Sequence, residues 1–180
     1  NTDAVCAIDD EDPLRILRLF NEPVGQEWMR KNGVNENVIS KLPWLGISSI
    51  SNMLSSIKLA KYYEMNENDV IFTIFTDSIE MYNSRLEEMN QEWGKYSEHQ
   101  SEIDWTSVIK KQTVDYFSEL SYYDKKRTHN LKYFTWVEQQ GKTVEELNAQ
   151  WYDENYWKER FSVVPLWDKL IDDFNKQVGL

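Results

Sequence analysis

The feature that most limits what this chain can fold into is the unbroken run Val70-Ile71-Phe72-Thr73-Ile74-Phe75. Every residue in it is β-branched or aromatic and none is charged, which predicts a strand buried on both faces, as in a parallel sheet covered by helices. Upstream, Ile50, Met53, Leu54, Ile57, Leu59 and Ala60 keep helical spacing from Ser49 to Tyr62 or Tyr63. Asp3-Ala4-Val5-Cys6-Ala7-Ile8, near the start, is short, apolar and compatible with a second strand. Strand, helices, strand is a crossover unit, so the expected class is α/β with a short parallel β piece of about two strands.

The acidic run Asp9-Asp10-Glu11-Asp12 precedes Pro13 and the pattern Leu14, Ile16, Leu17, Leu19, Phe20. Acids before such a pattern complement the positive end of a helix, and we read them as capping rather than as metal ligands. Asn21-Glu22-Pro23 opens a second helix stopped at Asn32-Gly33, and a third, shorter one is expected from Glu36 to Lys41. Beyond the apolar run, Asp77 and Glu80 resemble a capping box for a helix from Ile79 to Trp93, ended by Gly94. Further helices are expected over Ile103 to Leu120, from Asp124 through Val137, from the capping box Thr143-Val144-Glu145-Glu146 to about Tyr152, and over Pro165 to Val178. No further strand is expected. Residues 1–88 are therefore read as the α/β part, with an insertion at about 21–44, and 89–180 as an all-helical extension.

Charge narrows the partners. Lys plus Arg number 20 against 31 Asp plus Glu, a formal net charge of −11, which argues against nucleic acid and anionic membrane surfaces. The lone Cys6 excludes an intrachain disulfide or a cysteine-cluster metal site and fits a reducing cytoplasm. There is no apolar stretch of transmembrane length and no signal-peptide pattern. Eight Trp, ten Tyr and seven Phe serve either a well-packed core, the preferred reading, or a large partner surface. The chain opens without Met on Asn1-Thr2-Asp3 and enters a strand-like segment at once, so a piece of a longer or processed chain is expected.

No Gly-x-Ser-x-Gly, Gly-x-Gly-x-x-Gly or P-loop pattern occurs. His99 and His129 sit in polar neighbourhoods and read as surface or hydrogen-bonded histidines, and Lys58 and Lys61 as a solvated helix face. One stretch stands apart. Gly46-Ile47-Ser48-Ser49 precedes the helix, where glycine either lets the backbone approach another group or takes a positive φ, and the serines sit among unpaired N–H groups. Alone, the turn is a weak signal, more often an ordinary helix cap. Joined in order to the helix, the apolar run and Thr76-Asp77-Ser78-Ile79-Glu80-Met81-Tyr82, it becomes far more specific.

That ordered set resembles the C-terminal part of the cysteine synthase-like enzymes, the fold type II or tryptophan synthase β family of pyridoxal-phosphate enzymes. There a Gly-Ile-Ser-Ser-Gly turn opens a helix, and a hydrophobic strand ends in Pro-Asp-Ser-Gly-Glu-Arg-Tyr. Here Ile50 stands in place of the family's last turn glycine and Thr76 in place of its proline. The resemblance covers residues 3–88 apart from the insertion. It implies pyridoxal 5'-phosphate as cofactor, with Ser48 sharing the hydrogen bond of the pyridine nitrogen and with Gly46, Ser49, Asp77 and Ser78 lining the same edge of the pocket. A neutral hydroxyl there does not hold the nitrogen protonated as a carboxylate would, which favours β-elimination or β-replacement on an amino acid over transamination. The family's Schiff-base lysine, substrate-carboxylate loop and phosphate cradle have no counterpart in this sequence. The expectation is accordingly a C-terminal part or subunit of a lyase or synthase, inactive alone and without catalytic or metal-binding residues of its own. It would work with an upstream polypeptide carrying the lysine, in a homo-oligomeric enzyme. The rival reading is a non-catalytic, acidic, helical protein-interaction module.

Overall fold

The computed structural model describes residues 2–179, and they form two units: Ala4–Glu119, and the stretch 120–179 with residues 2–3. Both are mostly helical.

In the first unit β1 (Ala4–Cys6) is followed by α1 (Glu11–Asn21), α2 (Pro23–Lys31), α3 (Glu36–Ile39), a 3-10 turn at Leu42–Trp44 and α4 (Ile47–Tyr62). Glu11 and Asp12 lie in the first turn of α1, as the acidic run predicts, and Pro23 opens α2 where its missing N–H costs nothing. Asn35 caps α3, its side chain accepting from the Asn37 amide. Helix α1 is the centre of the core. Its residues Ile16, Leu17, Leu19 and Phe20 are buried, and it packs against α2 and α4. From α4 come Ile50 and Leu54, both wholly buried, and from α2 Trp28 and Met29. Gly25 sits where α2 turns back under α1: a Cβ there would run into the backbone oxygen of Leu19. The helices of the 21–44 insertion are thus integral to this core.

The sheet differs from expectation. The partner of β1 is β2 (Phe117–Glu119), a strand in the region expected to be all helical, and the pairing is antiparallel, with Ala4 opposite Glu119 and Cys6 opposite Phe117. The parallel β piece is therefore corrected to a two-stranded antiparallel ladder. Tyr62 stacks on Phe117 with ring centroids 3.9 Å apart, which anchors this ladder to the end of α4. Residues 70–75 have no ladder partner among the described residues and form no strand. Nor are they buried on both faces: Val70 is 87% and Phe72 90% exposed. The residue pattern expresses the conformation this segment favours, whereas a strand also needs a neighbour to satisfy its N–H and C=O groups.

After a 3-10 turn at Ile79–Met81 come α5 (Asn83–Glu92) and α6 (Glu98–Asp104). The helix expected from Ile103 to Leu120 is instead α6, a π-helical turn over Trp105–Lys110, and a loop through Tyr116, whose φ of 54° marks the reversal into β2. Helix α6 packs on α2, where Trp28 and Trp105 meet with centroids 6.0 Å apart.

The second unit holds α7 (Tyr122–Asn130), a π-helical turn at Tyr133–Gln139, α8 (Val144–Tyr152), α9 (Tyr156–Phe161) and α10 (Val164–Val178). The cap of α7 is a capping box begun one turn before the expected Asp124: Ser121 and Asp124 bond each other's backbone N–H. Thr143 caps α8 through the Glu146 amide as its motif predicts. Trp151 is the packing anchor, with centroids 5.6 Å from Tyr122 and 5.1 Å from His129. Helix α9 has no counterpart in the sequence reading.

Replacing Gly25 with Ala drives a Cβ into an unyielding backbone, so G25A should lower unfolding stability by about 1–3 kcal/mol, read by urea denaturation. A stability within error of the parent would contradict the close α1–α2 approach.

Candidate functional site

Helix α4 begins at Ile47 after an N-cap residue, Gly46, that has no side chain to cap with. The first amides of a helix carry partial positive charge and need acceptors. Asp77, thirty residues on, supplies them. Its Oδ2 accepts from the Ser48 amide at 3.0 Å and its Oδ1 from the Ser49 amide at 2.8 Å. The Ser49 hydroxyl lies 2.6 Å from Oδ1 and takes the Thr76 and Asp77 amides at 3.0 and 3.2 Å. The Gly46 amide donates to the Asp77 carbonyl at 2.9 Å, and the Tyr82 hydroxyl donates to Oδ2 at 2.8 Å. Two segments distant in sequence are thereby locked together by one carboxylate.

Gly46 has φ −87°, so of its two expected roles the structure selects close approach: a Cβ would lie 2.6 Å from the Asp77 carboxyl carbon and 2.7 Å from the Tyr82 ring. The capping box expected between Asp77 and Glu80 is absent because Asp77 faces back to α4, leaving Ile79–Met81 as a 3-10 turn. Burial alone would raise the Asp77 carboxyl, but the hydrogen bonds from Ser49, Tyr82 and the two serine amides outweigh it and hold the group below the usual carboxylate range. The same contact pushes the Tyr82 phenol up, chiefly because its hydrogen is given to Asp77.

Of the residues expected to line a cofactor edge, Gly46, Ser48, Ser49 and Asp77 are brought together by these bonds. Ser78 follows directly, its carbonyl accepting from the Met81 amide. Their surroundings differ. Ser49 is wholly buried and engaged within the cap. Ser48 is exposed, and its engagement is through the backbone amide, which leaves its hydroxyl available to a ligand. Ser48 thus presents a neutral, accessible hydroxyl at a helix start whose backbone is held in place by Asp77.

Tyr82 is a site residue that pattern reading did not single out, although it closes the motif beginning at Thr76. Lys58 is a correction. Expected on a solvated face, it is 3% exposed, and its Nζ donates to the carbonyls of Ala7 at 2.7 Å and Asp115 at 2.8 Å. The signal was present: Ile50, Leu54 and Lys58 are spaced i, i+4, i+8 on one stripe of α4. Ten residues of helix separate it from Ser48, about 15 Å along the axis, so Lys58 braces the β1 region and does not reach the serine turn. Lys61 bridges likewise to the carbonyls of Lys110 and Gln112.

His99 is exposed, and His129 is buried with Nε2 2.9 Å from the Leu147 carbonyl oxygen; burial pushes its imidazole down against that bond. No cluster of potential metal ligands occurs among the described residues, and none of their helices is long and apolar enough to cross a membrane. No family model matches the chain, and no curated protein or solved structure does either.

An acid held below its ordinary range contributes stability that is complete above its unfolded value, near 3.8, and is lost as pH falls through the lower folded value. D77N should therefore cost about 1–2 kcal/mol at neutral pH, as for loss of a helix cap, and should flatten the stability profile below pH 3.8, followed by urea unfolding across pH. A D77N profile parallel to the parent's would refute the cap.

Proposed function

We propose that this chain is a C-terminal part or subunit of a pyridoxal-phosphate-dependent lyase or synthase of the cysteine synthase-like class. The observation that supports this reading most is an adjacency. A strongly apolar and exposed segment, residues 70–75, leads directly into the cap beside which the Ser48 hydroxyl is accessible. The family resemblance implies a sheet strand at this place, next to a helix-start ligand edge, and the segment has no ladder partner among the described residues.

In this reading the apolar segment pairs with a strand of the polypeptide that carries the Schiff-base lysine, and the full enzyme is a cytoplasmic homo-oligomer acting on an amino acid. Bound pyridoxal phosphate supplies the electron sink for β-elimination or β-replacement. Ser48 offers the pyridine nitrogen an uncharged hydrogen-bond partner. The Asp77 carboxylate, whose charge is matched by the α4 N-terminus and the Tyr82 hydroxyl, fixes the Ser48 and Ser49 backbone and does not compete as a proton donor. Gly46 allows that carboxylate its close approach. Ser78 follows Asp77 on the same edge.

Co-expression with a lysine-bearing segment should give a complex with the visible absorption of bound cofactor. In it S48A should shift that band and lower turnover roughly tenfold, the loss of one hydrogen bond at the ring. An unchanged spectrum and turnover in S48A would refute the role. F72D, which places a charge on the apolar segment, should prevent assembly while leaving the far-ultraviolet circular dichroism of the isolated chain intact; assembly at parental affinity would refute the pairing.

A further inference from the structure

Burying a cation without a counter-charge is costly, and proteins that do so usually supply an anion or a full set of acceptors. Arg18 on α1 has neither. It is 3% exposed, its Nη2 donates to Asn90 Oδ1 at 2.7 Å and to the Gly94 carbonyl at 2.6 Å, and its Nε is buried without a partner. Both acceptors are uncharged, and Arg18 forms no ion pair among the described residues. Glu22 enters this network only through Asn90, whose Nδ2 donates to Glu22 Oε1 at 2.6 Å. Aromatic rings cover the guanidinium instead, with the Tyr96 centroid 4.8 Å and the Trp93 centroid 5.8 Å from Cζ.

Beside it is a cavity of about 190 Å³ lined by Glu11, Arg15, Arg18, Trp93, Gln100 and Asp104. Asp104, 1% exposed, does not neutralise Arg18 because it is fully engaged elsewhere. It accepts from Arg15 Nε at 3.0 Å, Gln100 Nε2 at 2.7 Å and the Tyr96 hydroxyl at 2.9 Å. Arg15 and Asp104 pair with each other, so Arg18 is the buried cation of this wall without an ion pair, and Glu11, exposed at the rim, brings the lining to two cations and two carboxylates.

We propose that this cavity is a binding site for a small organic carboxylate, held by the Arg18 guanidinium against the Trp93 ring. The Arg18 Nη2 is taken by Asn90 and Gly94, so Nη1 is the group left for a carboxylate oxygen, and the indole provides an apolar wall for a short carbon chain. A monoanion meets less repulsion from the Glu11 and Asp104 carboxylates than a phosphate dianion would. The site lies on α1, α5–α6 and the loop between them, and it does not depend on the assignment of the serine turn.

The test is a titration of the 180-residue chain at constant ionic strength, following the Arg18 guanidinium and Trp93 indole signals by nuclear magnetic resonance. Acetate should shift both saturably, and R18K, which keeps the charge but loses the planar fork, should weaken acetate roughly tenfold or more. E11Q changes only an exposed rim charge, leaves folding independent of the result, and should tighten acetate binding. The proposal is overturned if acetate does not saturate, if chloride reproduces the shifts, if inorganic phosphate binds more tightly than acetate, or if E11Q weakens binding.

Discussion

The first unit depends on one carboxylate placed on a helix end. Helix α4 carries Ile50 and Leu54 into the core, Lys58 to the β1 region and Tyr62 onto β2, so its position sets those contacts together. Its start has no cap of its own, and Asp77 fixes it from outside with both oxygens on successive amides. A local cap would stabilise α4 equally well but would tie down nothing else. A remote one also fixes the chain that delivers it, which is why residues 76–82, otherwise with little burial, hold a defined path: the Thr76 and Asp77 amides return to Ser49, and Tyr82 closes onto the same carboxylate.

Much of this was legible in the sequence where the signal is local. Pro23, the acids before α1 and the Thr143 cap each mark a helix end through chemistry confined to a few residues, and each lies where the pattern puts it. The turn at Gly46 and the motif at Asp77 were both visible, and so was their order. Their relationship was not, because nothing local tells whether Asp77 caps the helix after it or the helix before it. Glu80 three residues on made the forward box attractive, and the amides of α4 outcompete it by offering two donors to one carboxylate. Sheet pairing failed for the same reason. Phe117-Ser118-Glu119 has no strand signature of its own and becomes a strand only because β1 lies beside it.

Bulk charge says little about where individual cations sit. From the sequence, Lys58 reads as part of a solvated helix face. Instead Lys58 and Arg18 are buried and reach mainly backbone carbonyls, while Asp104, 1% exposed, is the carboxylate that draws three donors around itself. An excess of negative charge lowers the cost of a buried cation relative to a buried anion, so carbonyl oxygens suffice for Lys58 where an interior carboxylate needs a guanidinium, an amide and a phenol. The buried phenol bears the consequence: burial and the neighbouring Asp104 charge push the Tyr96 hydroxyl up, and it donates to Asp104 at 2.9 Å.

The apolar run that opened the sequence reading marks the point at which pattern and structure separate, and the separation is informative. Its composition favours a strand covered on both sides, and the chain leaves it unpaired, with the Asn52 side chain bonded to the Ile74 carbonyl at 2.8 Å and Phe72 almost wholly exposed. Leaving such a surface in water opposes the hydrophobic effect by about 25 cal/mol for each Å² that a partner could cover. Position decides what that partner would meet. The run ends at Phe75, two residues before the carboxylate that fixes α4, and the Thr76 amide returns to Ser49, so the downstream end of the run is set by the same hydrogen bonds that hold the start of the helix. A carboxylate that caps α4 from the end of an uncovered apolar run thus ties the position of that run to the helix, which a cap drawn from the residues next to the helix would not do.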